Sequence, residues 1–255
     1  MDYEYWADYL HNAQRQKKAV HPISDVEKDI SIIDGYRIQK KLIERRLGEG
    51  ENLIGVKAGL TSIAKQNAMG VSEPVYGIIT DKMVYKNKTE VDVNSFIQPR
   101  VEPEIVFKLG EDLSGSNVSI QNVLDATESV CCGLEIIDSR FINFKFTLAD
   151  VVADNTSASA FILGEAVEIQ DFKLDLLGCL LEIDNEVVET ATGAAVLGHP
   201  AKAVSLLANW LFGQGKTLKK GWTVLSGGLT NAFPLVSDKI ITGSIASLGS
   251  VSINT

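Results

Sequence analysis

The spacing of apolar and polar positions divides the chain into a helical start and a strand-rich remainder. Helical periodicity predicts helices over residues 3–18 and 32–47. Ser31 and Asp34 form a variant of the capping box at the start of the second helix, and Gly48 is a stop signal at its end. The first 50 residues therefore favour a small helical unit.

Short strands dominate after residue 50. The pattern also predicts a helix over 119–130, capped by Ser119. It predicts another over 200–212, where Pro200 takes the first-turn position. A two-residue turn between apolar runs predicts one hairpin. Its parts are Leu176–Ile183, Asp184-Asn185 and Glu186–Thr190.

One strand carries two acidic residues on a single face. Val101–Phe107 is typical of a strand, so the side chains of Glu102 and Glu104 fall on the same face, with their Cα atoms about 6.5–7 Å apart. Pro103 between them removes a hydrogen-bond donor and indicates a strand edge or a bulge. An acidic pair of this kind is also common on a solvated sheet face, so the spacing alone leaves both interpretations open.

A third carboxylate favours a metal site. Glu135 lies between apolar neighbours in Cys131–Ile137, and a carboxylate in such a run is rarely buried without a partner. Three carboxylates that repel one another would need a positive group between them. Mg²⁺ or Mn²⁺ is the natural candidate, because hard cations prefer oxygen ligands.

A lysine interrupts another apolar run. Lys57 lies within Leu53–Leu60, and lysine is rarely buried unless it is paired. Beside a carboxylate-bound metal it would act as a proton carrier. The alternative is a lysine at a strand end whose ammonium group reaches the surface.

Several motifs in register give the chain a family resemblance, from about residue 50 to the end. It resembles the 2-hydroxypentadienoate (vinylpyruvate) hydratase and 4-oxalocrotonate decarboxylase group of the fumarylacetoacetate hydrolase superfamily. The matching stretches are Ile54–Ser62, Met69–Val71, Pro74–Gly77, Gln98–Ile105, Leu134–Arg140, Val152–Ser157, Val196–Pro200 and Leu248–Val251.

The resemblance implies an α+β fold: a mixed β-roll of the fumarylacetoacetate hydrolase C-terminal-domain type with a small N-terminal helical cap. We expect residues 1–50 to form the cap region and residues 51–255 to form the catalytic β-roll domain. It also implies that Mg²⁺ (or Mn²⁺) is bound by Glu102, Glu104 and Glu135.

The resemblance also implies catalytic and substrate-binding residues. Lys57 matches the active-site lysine of the family, while Asp81 and Ser157 match an acidic residue and a serine near that site. Leu60 and Thr61 belong to the motif around Lys57 and are expected to contact substrate. A second substrate carboxylate would need a cation. The candidates are Arg140, Lys145 and Lys65.

A glycine-rich stretch offers a further substrate contact. Gly227-Gly228 supplies backbone donors, and Thr230 supplies a hydroxyl group, for a substrate carboxylate. The simpler interpretation is a glycine turn.

Two lyase reactions fit this set of residues. We favour decarboxylation of 2-oxo-3-hexenedioate (4-oxalocrotonate) to 2-hydroxypenta-2,4-dienoate through a metal-stabilised dienolate. The alternative is a 2-keto-4-pentenoate hydratase that adds water to give 4-hydroxy-2-oxopentanoate. A second alternative is a non-catalytic protein that binds metal or 2-oxo acids, and retention of all three glutamates with Lys57 argues against it. A hydrolase of carbon–carbon bonds would usually need a histidine, and none lies in the stretches that carry Lys57 and the three glutamates.

Composition and charge limit the kinds of molecule that the protein is expected to bind. The formal net charge of −9 argues against nucleic acid and against an anionic membrane surface. The start has no signal-peptide pattern and no apolar run reaches membrane-spanning length, so we expect a cytoplasmic protein. The resemblance implies a homo-oligomer and a complex with a paired hydratase or decarboxylase.

Two other stretches resemble known catalytic or binding motifs but lack a required glycine. Gly213–Thr217 resembles the end of a phosphate loop, but Trp210 occupies the position of its first glycine. Ser226 lacks the leading glycine of a nucleophile elbow.

Overall fold

The computed structural model describes residues 1–70, 73–169 and 173–255, without the side chains of residues 65, 68 and 69. Its helices are α1 (Tyr3–Gln16), α2 (Ile32–Gly48), α3 (Ile63–Met69), α4 (Ile120–Asp125), α5 (Leu148–Ala153) and α6 (Pro200–Gly213). Its strands are β1 (Leu53–Gly59), β2 (Val75–Thr80), β3 (Val84–Tyr85), β4 (Thr89–Glu90), β5 (Arg100–Leu109), β6 (Thr127–Ile137), β7 (Ala158–Leu163), β8 (Val167–Glu168), β9 (Gly178–Ile183), β10 (Glu186–Thr192), β11 (Thr223–Leu225), β12 (Phe233–Pro234), β13 (Ile240–Ile245) and β14 (Gly249–Asn254).

The two N-terminal helices form as the periodicity predicts. The Ser31 hydroxyl accepts the backbone N–H of Asp34, and the Asp34 carboxylate accepts the backbone N–H of Ser31. Hydrogen bonds from Ser31 lower the pKa of Asp34 to about 2. Helix α1 ends two residues earlier than predicted, because Lys17 takes the left-handed conformation of a C-cap (φ 52°).

A large mixed sheet forms the framework of the site. Its main path runs β2-β1-β11-β5-β6-β7-β3, with β12 paired to β5 and β8 paired to β6. The long strands β5 and β6 pair along their whole length. One face of this sheet packs on the main hydrophobic core, and the opposite face carries the predicted acidic residues.

The main core lies between this sheet, helix α6 and a second sheet of order β10-β9-β13-β14-β4. Ile105 and Leu134 from the first sheet, Val204 and Leu207 from α6, and Ile241 from the second sheet are all buried there. The alternation of buried residues along β5 and β6 thus turns their other face, with its polar side chains, away from this core.

The predicted hairpin is confirmed, and its turn has the expected geometry. Strands β9 and β10 pair around Asp184 (φ 54°) and Asn185 (φ 64°), whose positive φ values suit a two-residue turn. Helix α6 begins at Pro200, as predicted.

The prediction of a helix over 119–130 is wrong in its second half. Ser119 caps helix α4, but the helix ends at Asp125 and β6 begins at Thr127. The following residues pair with β5, beginning with Thr127 opposite Leu109. Tertiary pairing of a segment rich in β-branched residues and cysteine therefore overrides its helical continuation.

Pro103 lies in the middle of β5, at a gap in the sheet. Its carbonyl accepts the backbone N–H of Leu229 (2.9 Å), so its nitrogen faces the same loop. Strand β11 pairs with β5 only over Val106–Lys108, and β12 pairs only with Arg100 and Val101. The strand is thus locally an edge at Pro103, as the proline predicts.

Helices α3 and α5 were not expected from the sequence. Within the described ranges, no helix is both long and apolar enough to cross a lipid bilayer.

Candidate metal centre and active site

Strand register brings three carboxylates together. Glu102 on β5 lies directly opposite Glu135 on β6, and Glu104 follows on the same face of β5. One carboxylate oxygen from each residue lies within 4.8 Å of the other two. The three residues are buried, and Glu104 has no exposed surface. The expectation that these side chains share one face is therefore confirmed.

An apolar wall surrounds one side of this cluster. Val106 follows Glu104 on the same face of β5, and Phe161 on β7 lies opposite Glu135. Val106 and Phe161 pack with Leu225 and Cys131 in a separate buried cluster. The carboxylates thus have little solvent around them, which makes their charges costly to bury.

Burial and mutual repulsion raise the pKa values of two of the carboxyl groups. Burial, followed by the charges of Glu135 and Glu102, raises the pKa of Glu104 well above its usual range. Burial also raises the pKa of Glu135, while Lys57 opposes the change. Glu104 Oε2 accepts the backbone N–H of Gly227 (2.8 Å), but Oε1 is buried without a hydrogen-bond partner in the described part of the chain.

Lys57 supplies a positive charge to the cluster. It is 2% exposed, and its Nζ donates to Glu135 Oε2 (2.7 Å) and to the carbonyl of Thr156 (3.3 Å). It therefore does not reach the surface, and the alternative of a lysine at a solvated strand end is wrong.

A strained turn holds the second acceptor of Lys57. Asn155, Thr156 and Ser157 all have positive φ values (51°, 52° and 57°), which is unusual for residues with side chains. The Asn155 side chain fixes this turn to β2, because it accepts the backbone N–H of Ile78 and donates to its carbonyl, both at 2.8 Å.

Gly77 makes the close approach of this turn possible. It pairs with Lys57 across β1 and β2, and a Cβ atom at this position would overlap the Thr156 hydroxyl and lie 2.7 Å from the Asn155 carbonyl oxygen. The motifs around Gly77 and Asn155 were recognised in the sequence, but their joint support of Lys57 depends on a contact between distant segments.

A glycine pair packs against the other side of the carboxylates. A Cβ atom on Gly228 would overlap the Glu102 carboxylate, and one on Gly227 (φ 114°) would overlap the Thr61 side chain. Thr61 is buried, and Leu60 beside it has a positive φ of 56°. The glycine pair is thus more than a turn: it brings backbone, including one N–H donor, onto Glu102 and Glu104.

The cluster is suited to a divalent cation. Three carboxylates and one ammonium group leave two negative charges uncompensated when all four are ionised. The donors are all oxygen atoms, one of them is buried without a partner, and the group is largely shielded from water. These features fit Mg²⁺ or Mn²⁺ bound by Glu102, Glu104 and Glu135.

The side chains of the other two expected catalytic residues, Asp81 and Ser157, have hydrogen-bond partners other than Lys57. Asp81 lies four residues along the chain from Gly77, about 13 Å at strand spacing. Its carboxylate accepts the backbone and side-chain N–H groups of Asn52, the first of which does most to lower its pKa. The Ser157 hydroxyl donates to Asp154 Oδ2 (3.4 Å).

Arg140, one of the expected substrate-binding residues, is paired with other groups of the protein. Its side chain forms an ion pair with Asp154 and donates to the carbonyls of Asp138 (2.9 Å) and Ala158 (3.2 Å). It is 1% exposed, and these contacts hold the loop after β6 in place. Burial raises the pKa of Asp154 to about 6, while Arg140 opposes the change.

The remaining candidate substrate-binding residues differ in their exposure to solvent. Lys145 is exposed on the loop after β6. Thr230 is buried, and its hydroxyl donates to the Asn231 carbonyl (2.8 Å). The side chain of Lys65 lies outside the part of the chain that the structure describes.

Sequence comparison finds relatives that match most of the chain, although no protein-family model matches it. The chain is 38% identical over 247 residues to the 4-oxalocrotonate decarboxylase of Pseudomonas sp. strain CF600, covering 96% of this chain and 94% of the relative. It is 42% identical over 206 residues to the 2-hydroxypent-2,4-dienoate hydratase of Pseudomonas putida, covering 80% and 93%.

Comparison with solved structures also finds a 4-oxalocrotonate decarboxylase. The 4-oxalocrotonate decarboxylase of Pseudomonas putida G7, in complex with magnesium and adipate, superposes with a TM-score of 0.96 at 35% identity, covering 99% of this chain and 96% of that chain. The fumarylpyruvate hydrolase of Pseudomonas aeruginosa, with a TM-score of 0.60 at 14% identity over 79% of this chain and 88% of that chain, shares the fold.

The fold is therefore the predicted α+β β-roll of the fumarylacetoacetate hydrolase type, with helices at its N-terminus. Within that fold, the chain belongs to the family of 4-oxalocrotonate decarboxylases and 2-hydroxypentadienoate hydratases, whose members are enzymes.

Proposed function

We propose that the protein is a divalent-metal-dependent lyase that decarboxylates 2-oxo-3-hexenedioate to 2-hydroxypenta-2,4-dienoate. The observation that carries the proposal is the buried group of Glu102, Glu104 and Glu135 in contact with Lys57. Magnesium is the favoured ion, and it accompanies a diacid, adipate, in the related decarboxylase structure. A catalytically inactive descendant would have little reason to keep four mutually dependent charged groups in an apolar environment.

Glu102, Glu104 and Glu135 would hold the ion. When bound, a divalent cation supplies a Lewis acid for the 2-oxo group of the substrate. The Gly227 N–H and the apolar wall fix the orientation of the carboxylates and exclude water from them.

Lys57 would bind the oxygen of the 2-oxo group and deliver a proton to it. Cleavage of the bond between C5 and the terminal carboxylate releases CO₂, and its electron pair forms the C4–C5 double bond. The former C3–C4 double bond moves to C2–C3, and the 2-oxo oxygen gains a negative charge and then a proton. Lys57 is suited to this step because two acceptors already fix its Nζ within the carboxylate group.

A hydratase reaction is the second candidate, and the 42% identity to a hydratase supports it. The same residues would protonate a 2-hydroxydienoate and favour addition of water at C4. The same metal-binding group serves both reactions, so the substrate that is bound determines which one occurs.

We propose a small helical cap over residues 1–50, a catalytic β-roll over 51–255, a homo-oligomer, and a paired hydratase or decarboxylase as a partner. Large apolar side chains that are exposed on the single chain support contact between copies. These include Val26, Ile33 and Leu176, which are at least 64% exposed.

An ultraviolet assay of two substrates tests the reaction. Purified protein with Mg²⁺ is given 2-oxo-3-hexenedioate or 2-hydroxypenta-2,4-dienoate, with CO₂ detection and an EDTA control. The proposal expects CO₂ from the diacid and its loss with EDTA. Loss of the dienoate chromophore without CO₂ from the diacid would instead identify a hydratase.

A further inference from the structure

A cation lies on the same strand face as the metal-binding carboxylates. Arg100 precedes Glu102 by two residues on β5, and the register of β5 with β6 is regular from Arg100 to Lys108. The side chains of Arg100, Glu102 and Glu104 therefore follow one another along one face of the strand. Arg100 is partly exposed, whereas both glutamates are buried.

An aromatic ring holds the Arg100 guanidinium group. Its Cζ lies 4.2 Å from the centroid of the Phe144 ring, the geometry of a cation–π contact. In the described part of the chain no carboxylate forms an ion pair with Arg100, and none of its guanidinium N–H groups has a hydrogen-bond partner. The guanidinium group is thus oriented, while its donors stay available for a ligand.

The loop that carries Phe144 is fixed to the start of β5. Asp138 accepts the backbone N–H groups of Ile97 (2.9 Å) and Gln98 (2.7 Å). The Gln98 side chain donates to the carbonyl of Phe141 (2.5 Å), and the backbone N–H of Phe144 donates to the same carbonyl (3.2 Å). These bonds join the segment before Arg100 to the loop after β6, so the ring stays against the guanidinium group.

We propose that Arg100 binds the far carboxylate of a dicarboxylic substrate whose 2-oxo end lies at Glu102, Glu104 and Glu135. The assignment rests on the proposed function and adds to it the residue that selects a diacid. A planar guanidinium group suits bidentate contact with a carboxylate. Two residues along a strand span about 6.5 Å, which is comparable to the length of a six-carbon diacid.

Other cations fit this role less well. Arg140 is buried in its ion pair with Asp154. Lys145 follows Phe144 on the same loop but is exposed, and no aromatic or acidic partner holds it in the described residues. It serves as the competing assignment in the test.

The test measures binding without turnover. Titration calorimetry with Mg²⁺ present compares adipate with hexanoate, which has the same carbon number and one carboxylate. The variants are Arg100→Met and Lys145→Met. Arg37→Met is the matched control, because Arg37 on α2 also lies over an aromatic ring, that of Tyr3 on α1. Thermal unfolding verifies that each variant is folded.

Arg100→Met should weaken adipate binding about tenfold or more and leave hexanoate unchanged, since a charge-assisted pair is lost. Lys145→Met and the control Arg37→Met should bind adipate as the wild type does. Equal affinity of the wild type for the two acids, unchanged adipate binding in Arg100→Met, or the same loss in Lys145→Met alone would overturn the assignment.

Kinetics separate this inference from the reaction itself. In the wild-type enzyme, CO₂ release from 2-oxo-3-hexenedioate tests the proposed function whatever Arg100 does. Arg100→Met should raise KM for this diacid much more than it changes kcat. Active decarboxylase with an unchanged KM in the variant would refute the role of Arg100 and leave the function intact.

Discussion

Glu104 illustrates how a single buried residue connects stability with function. Its carboxylate has two acidic neighbours, one backbone donor and no solvent exposure. Without a metal ion this arrangement is unfavourable, because Lys57 compensates only one of the three negative charges and the carboxylates repel one another in an apolar environment. The Glu104 carboxylate is expected to stabilise the protein only when a metal ion is bound. Replacing it should therefore stabilise the metal-free protein and weaken metal binding.

Glu104→Gln should therefore stabilise the metal-free protein. The folded state raises the pKa of Glu104, so the folded protein binds its proton more tightly than the unfolded chain does, and stability falls as pH rises above the ordinary carboxyl range. In EDTA at about pH 8 the variant should unfold at least about 2 °C higher than the wild type, and the difference should shrink near pH 5.

The exposed Glu128 on β6 provides the control. Glu128→Gln should leave the unfolding temperature unchanged at both pH values. A lower unfolding temperature for Glu104→Gln in EDTA at about pH 8 would contradict the view that this carboxylate is unfavourable without metal.

Lys57 is expected to act in the reaction more than in metal binding. Lys57→Met should lower kcat by about 100-fold or more, since a positioned proton donor is lost, and should retain Mg²⁺ binding, because no metal ligand is removed. Steady-state kinetics and calorimetry on the same preparation measure both effects. Full activity in the variant would make Lys57 a bystander.

At the scale of elements, a few backbone conformations place Lys57. The left-handed turn at Asn155–Ser157 lies against β2 at Gly77, where a side chain would not fit. The same turn offers the Thr156 carbonyl to Lys57. Backbone strain at this point is thus connected to the position of the proton donor.

Gly77→Ala should disturb this contact. The added methyl group would overlap the Thr156 hydroxyl and approach Lys57 Cγ to 3.0 Å, so the turn and the lysine must move apart. We expect kcat to fall about tenfold or more while Mg²⁺ affinity stays near that of the wild type.

Gly178→Ala on β9 is the matched control, because it also replaces a strand glycine and its new methyl group meets no atom within 4 Å. It should keep the wild-type kcat. Equal kcat in both variants would show that the turn does not position Lys57.

The elements also show what the sequence could and could not predict. Alternation along β5 placed Glu102 and Glu104 on one face, and capping signals located the starts of α2, α4 and α6. The end of α4 was missed because β6 pairs with β5, and that pairing depends on residues distant in the chain.

At the scale of the whole molecule, the large sheet separates stability from chemistry. One face packs against α6 and the second sheet to form the main core, while the other gathers Lys57 from β1 and the carboxylates from β5 and β6. Polar side chains that would be costly in the core are thereby kept on the opposite face, where their charges can neutralise one another or a metal ion.

Long-range contacts decide which candidate site residues meet. Unusual polar positions in apolar runs indicated Lys57 and Glu135 as candidates, and the family resemblance supplied their expected roles. Nothing in the sequence distinguished a buried structural cation at Arg140 from an available one at Arg100, because the partners of both depend on the folded loops around them.

Titration of metal-free protein with Mn²⁺ tests the central claim most directly. We predict one ion per chain in the wild type, loss of this binding in Glu135→Gln, and its retention in Glu128→Gln on the same strand. Unchanged stoichiometry and affinity in Glu135→Gln would contradict the assignment of Glu102, Glu104 and Glu135 as the metal site.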